Sequence, residues 1–405
     1  MRAIRPIAQA AQPRLAHRAA LLRELQAHPR LSRAALARAT GLHKATISNL
    51  VQELIDEGFL VEVDRAQGRT GRPSVMLEFA RAGKLVVGAQ LDSTEVRVVL
   101  TNLKAEVLTR RQAPVNRAEP QARVLETLHD AIATVLAEAR PLPADILGIG
   151  VSLPGIVDVD AGVLVRSDPL GWRHVPIRQL LEQRHGLQVA VEKSTNAALF
   201  AEHVFGAARG HDHALYVEAA VNGIGGAILV DGELYRGGAH FAGEFGHMAV
   251  DPNGPRCSCG NRGCWETVAD GNAVLRHAYR LRAQDDTAQA GAIRFDTPED
   301  VLAAATVSPL AVAAIKETAR WLGVGLASLI NLLGPQVAIV GGSLVAAAPA
   351  MWGTLRESAR GRALGELADS CRIVAPHLGA DAYALGAATV AGHAVLLRPP
   401  ARASA

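Results

Sequence analysis

Residues 243–266 of this 405-residue chain read GEFGHMAVDPNGPRCSCGNRGCWE. Cys257, Cys259 and Cys264 are separated by short glycine-containing turns, so three thiolates can converge on one point. His247, ten residues before the first cysteine, can add an imidazole, and such a set suits tetrahedral Zn²⁺. The stretch therefore predicts a structural zinc site formed by these four residues. The alternative is a group of free thiols in a core.

Cysteine usage also indicates the compartment. Cys371 stands alone, so the chain has metal-ligand spacing and no disulfide framework, which suits a reducing cytosol. The arginine-rich N-terminus contains no apolar segment of the kind found in secretory signals. We therefore expect a cytoplasmic protein.

One long uncharged segment, between Arg320 and Arg356, is long enough to span a bilayer. Gly334-Pro335 interrupts it, and residues 337–340 (VAIV) followed by two glycines are typical of a strand and a turn. We expect a helix, a short buried strand and a second helix in an α/β core, and no membrane contact.

The charge of the chain is unevenly distributed. Residues 1–80 carry 12 Lys and Arg against 7 Asp and Glu, a balance of +5, whereas the rest of the chain has a balance of −2. A basic N-terminal fifth favours contact with a polyanion, although an excess of this size also arises by chance.

The N-terminal pattern predicts a winged helix-turn-helix over residues 14–80. Apolar periodicity predicts a helix over 15–27, and Ser32 is a good N-cap for a second helix over 33–39. A third helix from about His43 to Glu57 has an apolar stripe, Ile47, Leu50, Val51 and Leu54. Two strands, near 59–63 and 74–79, would form the wing.

In such a unit the third helix enters the major groove of double-stranded DNA with its polar face outward. That face predicts the DNA-binding residues Lys44, Thr46, Ser48 and Asn49. The wing tip, residues 68–73 (GRTGRP), adds Arg69 and Arg72, which suit a narrow minor groove. The alternative is one of the small helical domains that share the pattern without binding DNA.

From about residue 84 onward, strands and helices alternate. The order predicts a layered α/β domain over residues 84–397, in two lobes because of its length, with the zinc segment 243–266 embedded in it.

The segment 243–266 closely resembles the signature of the ROK family (repressors, open reading frames and kinases). The N-terminal segments LSRAALARATGL and GRTGRPS are similar to those of ROK repressors. Further blocks resemble family blocks in family order: 150–158 (GVSLPGIVD), 168–176 (DPLGWRHVP), 222–232 (NGIGGAILVDG) and 331–343 (NLLGPQVAIVGGS).

This resemblance implies an actin-like, ribonuclease-H-like ATPase fold with a sugar cleft between two lobes. It implies that His247 and the three clustered cysteines bind zinc. It further implies that Glu244, His247 and Glu266 hold sugar hydroxyls and that Gly155 lines the cleft, with zinc supporting the histidine from behind.

The kinase pattern fails at two places. Where family kinases carry E-N-D-A-N, this chain has residues 192–196 (EKSTN), so Ser194 replaces the aspartate that serves as catalytic base. The family's D-x-G-G-T phosphate loop appears as residues 92–95 (DSTE), and without glycines backbone amides cannot approach phosphates closely. The second loop, 223–226 (GIGG), survives, and we interpret its glycines as residues that keep tight turns of the fold rather than as nucleotide-binding residues. We therefore expect no enzymatic activity.

Lys193 replaces an asparagine that the resemblance places on the sugar. One hypothesis is that this lysine binds an anionic effector, such as a sugar phosphate or a sugar acid. The alternative is that Lys193 pairs with Glu192 or another carboxylate.

Together these features predict a transcriptional regulator of carbohydrate-related genes. We expect this regulator to be a repressor. It would bind a palindromic operator as a homodimer or homotetramer and respond to a small carbohydrate or carbohydrate derivative. Two alternatives stay open at this point. One is a ROK sugar kinase with an appended DNA-binding domain, and the other is a module controlled by a partner protein.

Overall fold

The computed structural model describes residues 8–28, 30–63, 75–81, 83–140, 145–284 and 294–396. The chain divides into two compact units. The first consists of Met1–Phe205 with Ala380–Ala405, and the second of Gly206–Gly379.

The first unit begins with a helix-turn-helix. It contains α1 (Ala8–Ala27), β1 (Leu31–Ser32), α2 (Arg33–Thr40) and α3 (Lys44–Asp56). The predicted cap of α2 is confirmed, because Ser32 Oγ accepts a hydrogen bond from the Ala35 amide at 3.2 Å. Gly41 ends that helix in the left-handed region, at φ 67°. The apolar stripe of α3 is buried as predicted.

A small antiparallel sheet completes this part. The strands β2 (Leu60–Val63) and β3 (Met76–Phe79) pair in register, and the short β1, which the sequence did not predict, adds to the other edge of β3. The predicted wing tip, with Arg69 and Arg72, lies outside the described residues.

The remainder of the first unit is built on a five-stranded sheet of order β11-β7-β4-β5-β6. Its strands are β4 (Lys84–Leu91), β5 (Glu95–Asn102), β6 (Val107–Pro114), β7 (Asp145–Leu153) and β11 (Val189–Lys193). A three-stranded sheet, β8 (Ile156–Asp158), β9 (Val163–Ser167) and β10 (Trp172–Val175), lies between β7 and β11 in the chain. The helices are α4 (Gln121–Ala139), α5 (Ile177–His185), α6 (Ser194–Phe205) and α14 (Ala382–Leu396).

The second unit contains a five-stranded sheet of order β14-β13-β12-β15-β16. Its strands are β12 (Ala214–Ala220), β13 (Gly223–Val230), β14 (Glu233–Leu234), β15 (Val337–Gly341) and β16 (Arg372–Val374). The helices are α7 (Trp265–Ala269), α8 (Gly271–Ala283), α9 (Pro298–Ala303), α10 (Pro309–Leu333), α11 (Ser343–Ala347), α12 (Met351–Arg360) and α13 (Gly365–Ser370).

The two five-stranded sheets have the same topology. In each, the first three strands form an antiparallel meander, and the fourth and fifth strands continue from the first in parallel. This repetition of one α/β arrangement is the pattern expected of an actin-like fold, and it confirms the predicted fold class.

The uncharged segment forms the predicted helix, strand and helix, α10, β15 and α11. Among the described residues, none of the helices taken singly has the length and apolar character needed to cross a bilayer. Only the pair Pro298–Thr306 and Pro309–Leu333, bent by 116°, meets such criteria jointly.

Candidate functional site

The cysteine cluster forms a compact set of donor atoms in the second unit. His247 ends a 3₁₀ turn, Phe245–His247, and the three cysteines lie on the loop that follows. One ligand atom from each of His247, Cys257, Cys259 and Cys264 lies within 4.8 Å of all the others. The four cysteines of the chain are free thiols.

Two of the distances between these atoms fit the edges of a tetrahedral metal site. Cys259 Sγ lies 3.6 Å from Cys264 Sγ, and Cys257 Sγ lies 3.7 Å from His247 Nδ1. Metal–ligand bonds of about 2.0–2.3 Å give tetrahedral edges of roughly 3.5–3.8 Å, so both distances match. Burial raises the pKa of the Cys257 thiol to about 12, and metal binding would displace that proton.

Glu266 lies next to this cluster and directly follows a buried tryptophan in the sequence. Its neighbour Trp265 is fully buried, and the indole Nε1 donates a hydrogen bond to the Trp321 carbonyl at 2.8 Å. The Glu266 carboxylate Oε1 accepts from Cys257 Sγ at 3.0 Å and lies 3.6 Å from His247 Nδ1. Two of the predicted effector residues, His247 and Glu266, are therefore adjacent to each other and to the metal donors.

The third, Glu244, directly precedes the 3₁₀ turn, and its carbonyl accepts from the His247 amide at 3.2 Å. This turn packs on β13 through Gly226, where a Cβ would lie 1.9 Å from the Phe245 ring. Gly226, one of the glycines retained from the second phosphate loop, thus leaves the room that this turn needs to pack on β13.

The other two predicted effector residues belong to the first unit. Lys193 is the buried last residue of β11, and Ser194 begins α6. Glu192 Oε1 accepts from the Lys193 backbone amide at 3.0 Å and from Asn196 Nδ2 at 2.9 Å. Gly155 has φ 109° between β7 and β8. A Cβ there would lie 2.2 Å from the Arg166 carbonyl.

Residues 92–94 form the turn between β4 and β5, and Glu95 is the first residue of β5. At this turn Arg97 Nη2 donates to Glu95 Oε1 at 2.9 Å, and Arg97 Nη1 donates to Asp381 at 3.2 Å. Asp381 also pairs with Arg110 at 2.8 Å. A network of ion pairs therefore lies beside the turn that holds phosphates in the family pattern.

The polar face of α3 is accessible, as the sequence predicts. Lys44, Ser48 and Asn49 are exposed and Thr46 is partly exposed, on the side of the helix opposite the buried stripe. The helix therefore offers a cation, two hydroxyls and an amide to a ligand in solution.

Asp270, which the sequence analysis did not single out, caps α8 by accepting from the Ala273 amide at 2.7 Å. The residue is only 7% exposed, and burial raises the pKa of its carboxyl to about 6. An Asp at a helix start is common, and its burial could be found only from the folded structure.

Comparison with known proteins identifies two matching family models. The ROK family model matches residues 86–394, and a MarR family model matches residues 15–70. In a solved ROK family transcriptional regulator, a homologue of the E. coli MLC protein, 26% of residues are identical. The structural match has a TM-score of 0.79 and covers 96% of this chain and 98% of the other.

Similar proteins include repressors and kinases. The putative xylose repressor of Caldicellulosiruptor sp. (strain Rt8B.4) is 35% identical over 327 residues, 79% of this chain and 81% of that protein. The xylose repressor of Bacillus subtilis (strain 168) is 30% identical over 91% of this chain and 93% of its own length. The glucokinase of Streptomyces coelicolor is 32% identical over 76% of this chain and 97% of its length.

The ROK model covers well over half of the chain, and the likeness to the xylose repressor of Bacillus subtilis covers 91% of it. This chain belongs to the ROK family.

Proposed function

We propose that this protein is a sugar-responsive DNA-binding repressor. One observation carries the proposal: a helix-turn-helix with an accessible polar face precedes a ROK domain in one chain. The xylose repressor of Bacillus subtilis is similar across both parts. The kinase relative covers only 76% of this chain.

We assign DNA binding to residues 14–80 and effector binding to residues 84–397. Lys44 and Thr46 would reach phosphates or base edges, and Ser48 and Asn49 would read bases in the major groove. Arg69 and Arg72 would enter the minor groove. DNA operators are commonly palindromic because dimers are two-fold symmetric, so we propose a homodimer or homotetramer.

We propose that the metal is Zn²⁺, because three thiolates and one imidazole with tetrahedral edge lengths are its preferred set. The ion would cross-link the loop to the 3₁₀ turn and thereby fix His247 and Glu266. Free thiols and a zinc-binding role also favour a cytosolic protein.

We propose that the effector is a sugar held by Gly155, Lys193, Glu244, His247 and Glu266. Xylose is the first compound to test because two relatives are named xylose repressors. Buried Lys193 also leaves an anionic sugar derivative as a hypothesis. Xylose, xylonate and sugar phosphates should therefore be titrated side by side.

We propose that the chain is not a kinase. Ser194 has no carboxylate to take a proton from a sugar hydroxyl. The turn at residues 92–95 (DSTE) also lacks the glycines that would let backbone amides approach phosphates closely. The alternative, a sugar kinase with an appended DNA-binding domain, requires phosphoryl transfer by the purified protein.

DNase I footprinting on the DNA upstream of its own gene tests the proposal. A two-fold symmetric protected region that one sugar abolishes is the expected result. Protection that no tested sugar alters would leave DNA binding in place but contradict sugar control.

A further inference from the structure

Arg18 on α1 is a buried arginine that joins three elements of the first unit. Arg18 as a whole is only 4% exposed. The guanidinium binds both carboxylate oxygens of Glu57, at 2.6 and 3.1 Å, and Glu57 is the C-cap of α3. Its Nε donates to the carbonyl of Leu396, in the last turn of α14, at 2.7 Å.

The Leu396 side chain strengthens this junction. It is 2% exposed and belongs to the apolar core of the helix-turn-helix, 378 residues away in sequence from Arg18. The Arg18 guanidinium also lies 5.7 Å from the centre of the Phe59 ring, in the same core. An arginine with a bidentate carboxylate partner has a fixed geometry, so Arg18 links the last turn of α14 firmly to the C-terminal end of α3.

The rest of α14 is fixed to the ROK domain by backbone contacts. A Cβ at Gly150 of β7 would lie 1.8 Å from the Ala387 carbonyl of α14. A Cβ at Gly386 would lie 2.0 Å from the Ala197 carbonyl of α6. Backbones packed this closely leave little room for α14 to shift independently of β7 and α6. α6 starts directly after Lys193, one of the proposed effector residues.

At its other end, α14 follows Asp381, which is paired with Arg97 of β5 and Arg110 of β6. The helix α14 thus connects the ion pairs beside the β4–β5 turn to the helix-turn-helix. Arg18 contacts its last turn and the recognition helix at the same time.

We propose that Arg18 is a positioning residue that couples the effector domain to α3 through α14. The proposal rests on the proposed function, in which a sugar controls DNA binding. Arg18 touches neither ligand in this scheme. Arg18 determines how strongly a structural change around α6 and α14 alters the position of the recognition helix, α3.

The chain offers a matched control. Arg14, one turn earlier on α1, pairs with Glu53 of α3 at 2.7 Å. Its side chain is 58% exposed, whereas that of Arg18 is 5% exposed. Arg14→Met and Arg18→Met therefore each remove an ion pair between α1 and α3, but only the second removes the hydrogen bond to α14. Glu57→Gln is a milder variant that leaves the Arg18–Leu396 hydrogen bond possible.

The first experiment is hydrogen exchange of the full-length variants without ligand. We expect Arg18→Met to speed exchange at least tenfold both in the end of α3 and in the last turn of α14, and Arg14→Met to affect α3 alone. If Arg18→Met leaves the last turn of α14 at the wild-type rate, the proposal is overturned. Should that variant fail to fold, the same comparison is made with Glu57→Gln, for which a smaller change in both elements is expected.

The second experiment measures the ratio of DNA dissociation constants with and without xylose. We expect a ratio of roughly 5–150 in the wild type and in Arg14→Met, and a ratio near 1 in Arg18→Met. A wild-type ratio in Arg18→Met contradicts the proposal. A wild-type protein indifferent to xylose would instead count against the proposed effector, and hydrogen exchange would then decide the role of Arg18.

Discussion

Cys257 Sγ lies 3.0 Å from Glu266 Oε1, so a proposed metal ligand and a proposed effector ligand are in direct contact. Both belong to one short segment that is anchored by buried Trp265. This contact explains how a structural metal would serve a binding site: it would fix the loop against which Glu266 and His247 are positioned.

The metal site yields the first prediction. Cys257→Ser should lower the zinc content from one ion per chain to far below one, as measured by atomic emission. Because metal-binding free energy contributes to folding, the loss should destabilise the second unit by on the order of 3 kcal/mol or more. For a unit of this size, the melting temperature should fall by roughly 6–12 °C.

Cys371→Ser is the control, because Cys371 is a buried thiol outside the cluster. Full zinc content in Cys257→Ser, or an equal loss in both variants, would refute the assignment of the cluster as a metal site.

The exposed face of α3 yields the second prediction. Asn49→Ala should weaken specific DNA binding by about 1–3 kcal/mol, since a bidentate contact to a base would be lost. The free energy of unfolding of this variant should differ from that of the wild type by less than about 0.5 kcal/mol, because Asn49 is exposed.

Ser32→Ala should behave in the opposite way. Ser32 caps α2, so its loss should cost about 1 kcal/mol of stability, with little effect on base selectivity. If Asn49→Ala binds the same DNA with unchanged affinity, α3 does not read the operator through this residue.

Asp270 yields the third prediction, on pH dependence. Its folded pKa, about 6, is above the ordinary value of 3.8 because burial penalises the charged form. This group therefore stabilises the fold fully below pH 3.8, and the stabilisation is lost as the pH rises through 6.

Asp270→Asn keeps a good helix cap but cannot ionise. Relative to wild type, it should be more stable by roughly 1–3 kcal/mol at pH 8 and about equally stable near pH 4. Melting curves of both proteins across this range measure the difference. A difference that is independent of pH would show that Asp270 is not held in a charge-penalising environment.

The fourth prediction concerns catalysis. The wild-type protein should not phosphorylate glucose or xylose with MgATP, since Ser194 cannot act as a base. Ser194→Asp should also remain inactive, because residues 92–95 lack the glycines of the family's phosphate loop and backbone amides there cannot approach phosphates closely. Formation of a sugar phosphate by the wild-type protein, followed with radiolabelled ATP, would support the kinase alternative.

Local signals explain what the sequence predicted well. The Ser32 cap, the Gly41 stop and the 3.6-residue stripe of α3 each act within a few residues, and the structure confirms all three. The buried strand β15 was also predicted, since a short run of apolar, β-branched residues followed by glycines indicates such a strand.

Features that depend on distant partners were missed. The edge strand β6 (VLTRRQAP) has mostly exposed residues and a polar run, TRRQ, at its centre, so it shows no strand pattern. The contact of Arg18 with Leu396 joins positions 378 residues apart and has no local signature. The same is true of the contact between Cys257 and Glu266, whose geometry arises from the folded loop.

The measurement that tests the central claim most directly is fluorescence anisotropy of the full-length protein on the DNA upstream of its own gene, with and without xylose and related sugars. We predict specific, salt-sensitive binding that one sugar weakens at least fivefold. Absence of specific binding at every salt concentration would contradict the account of this protein as a sugar-controlled DNA-binding repressor.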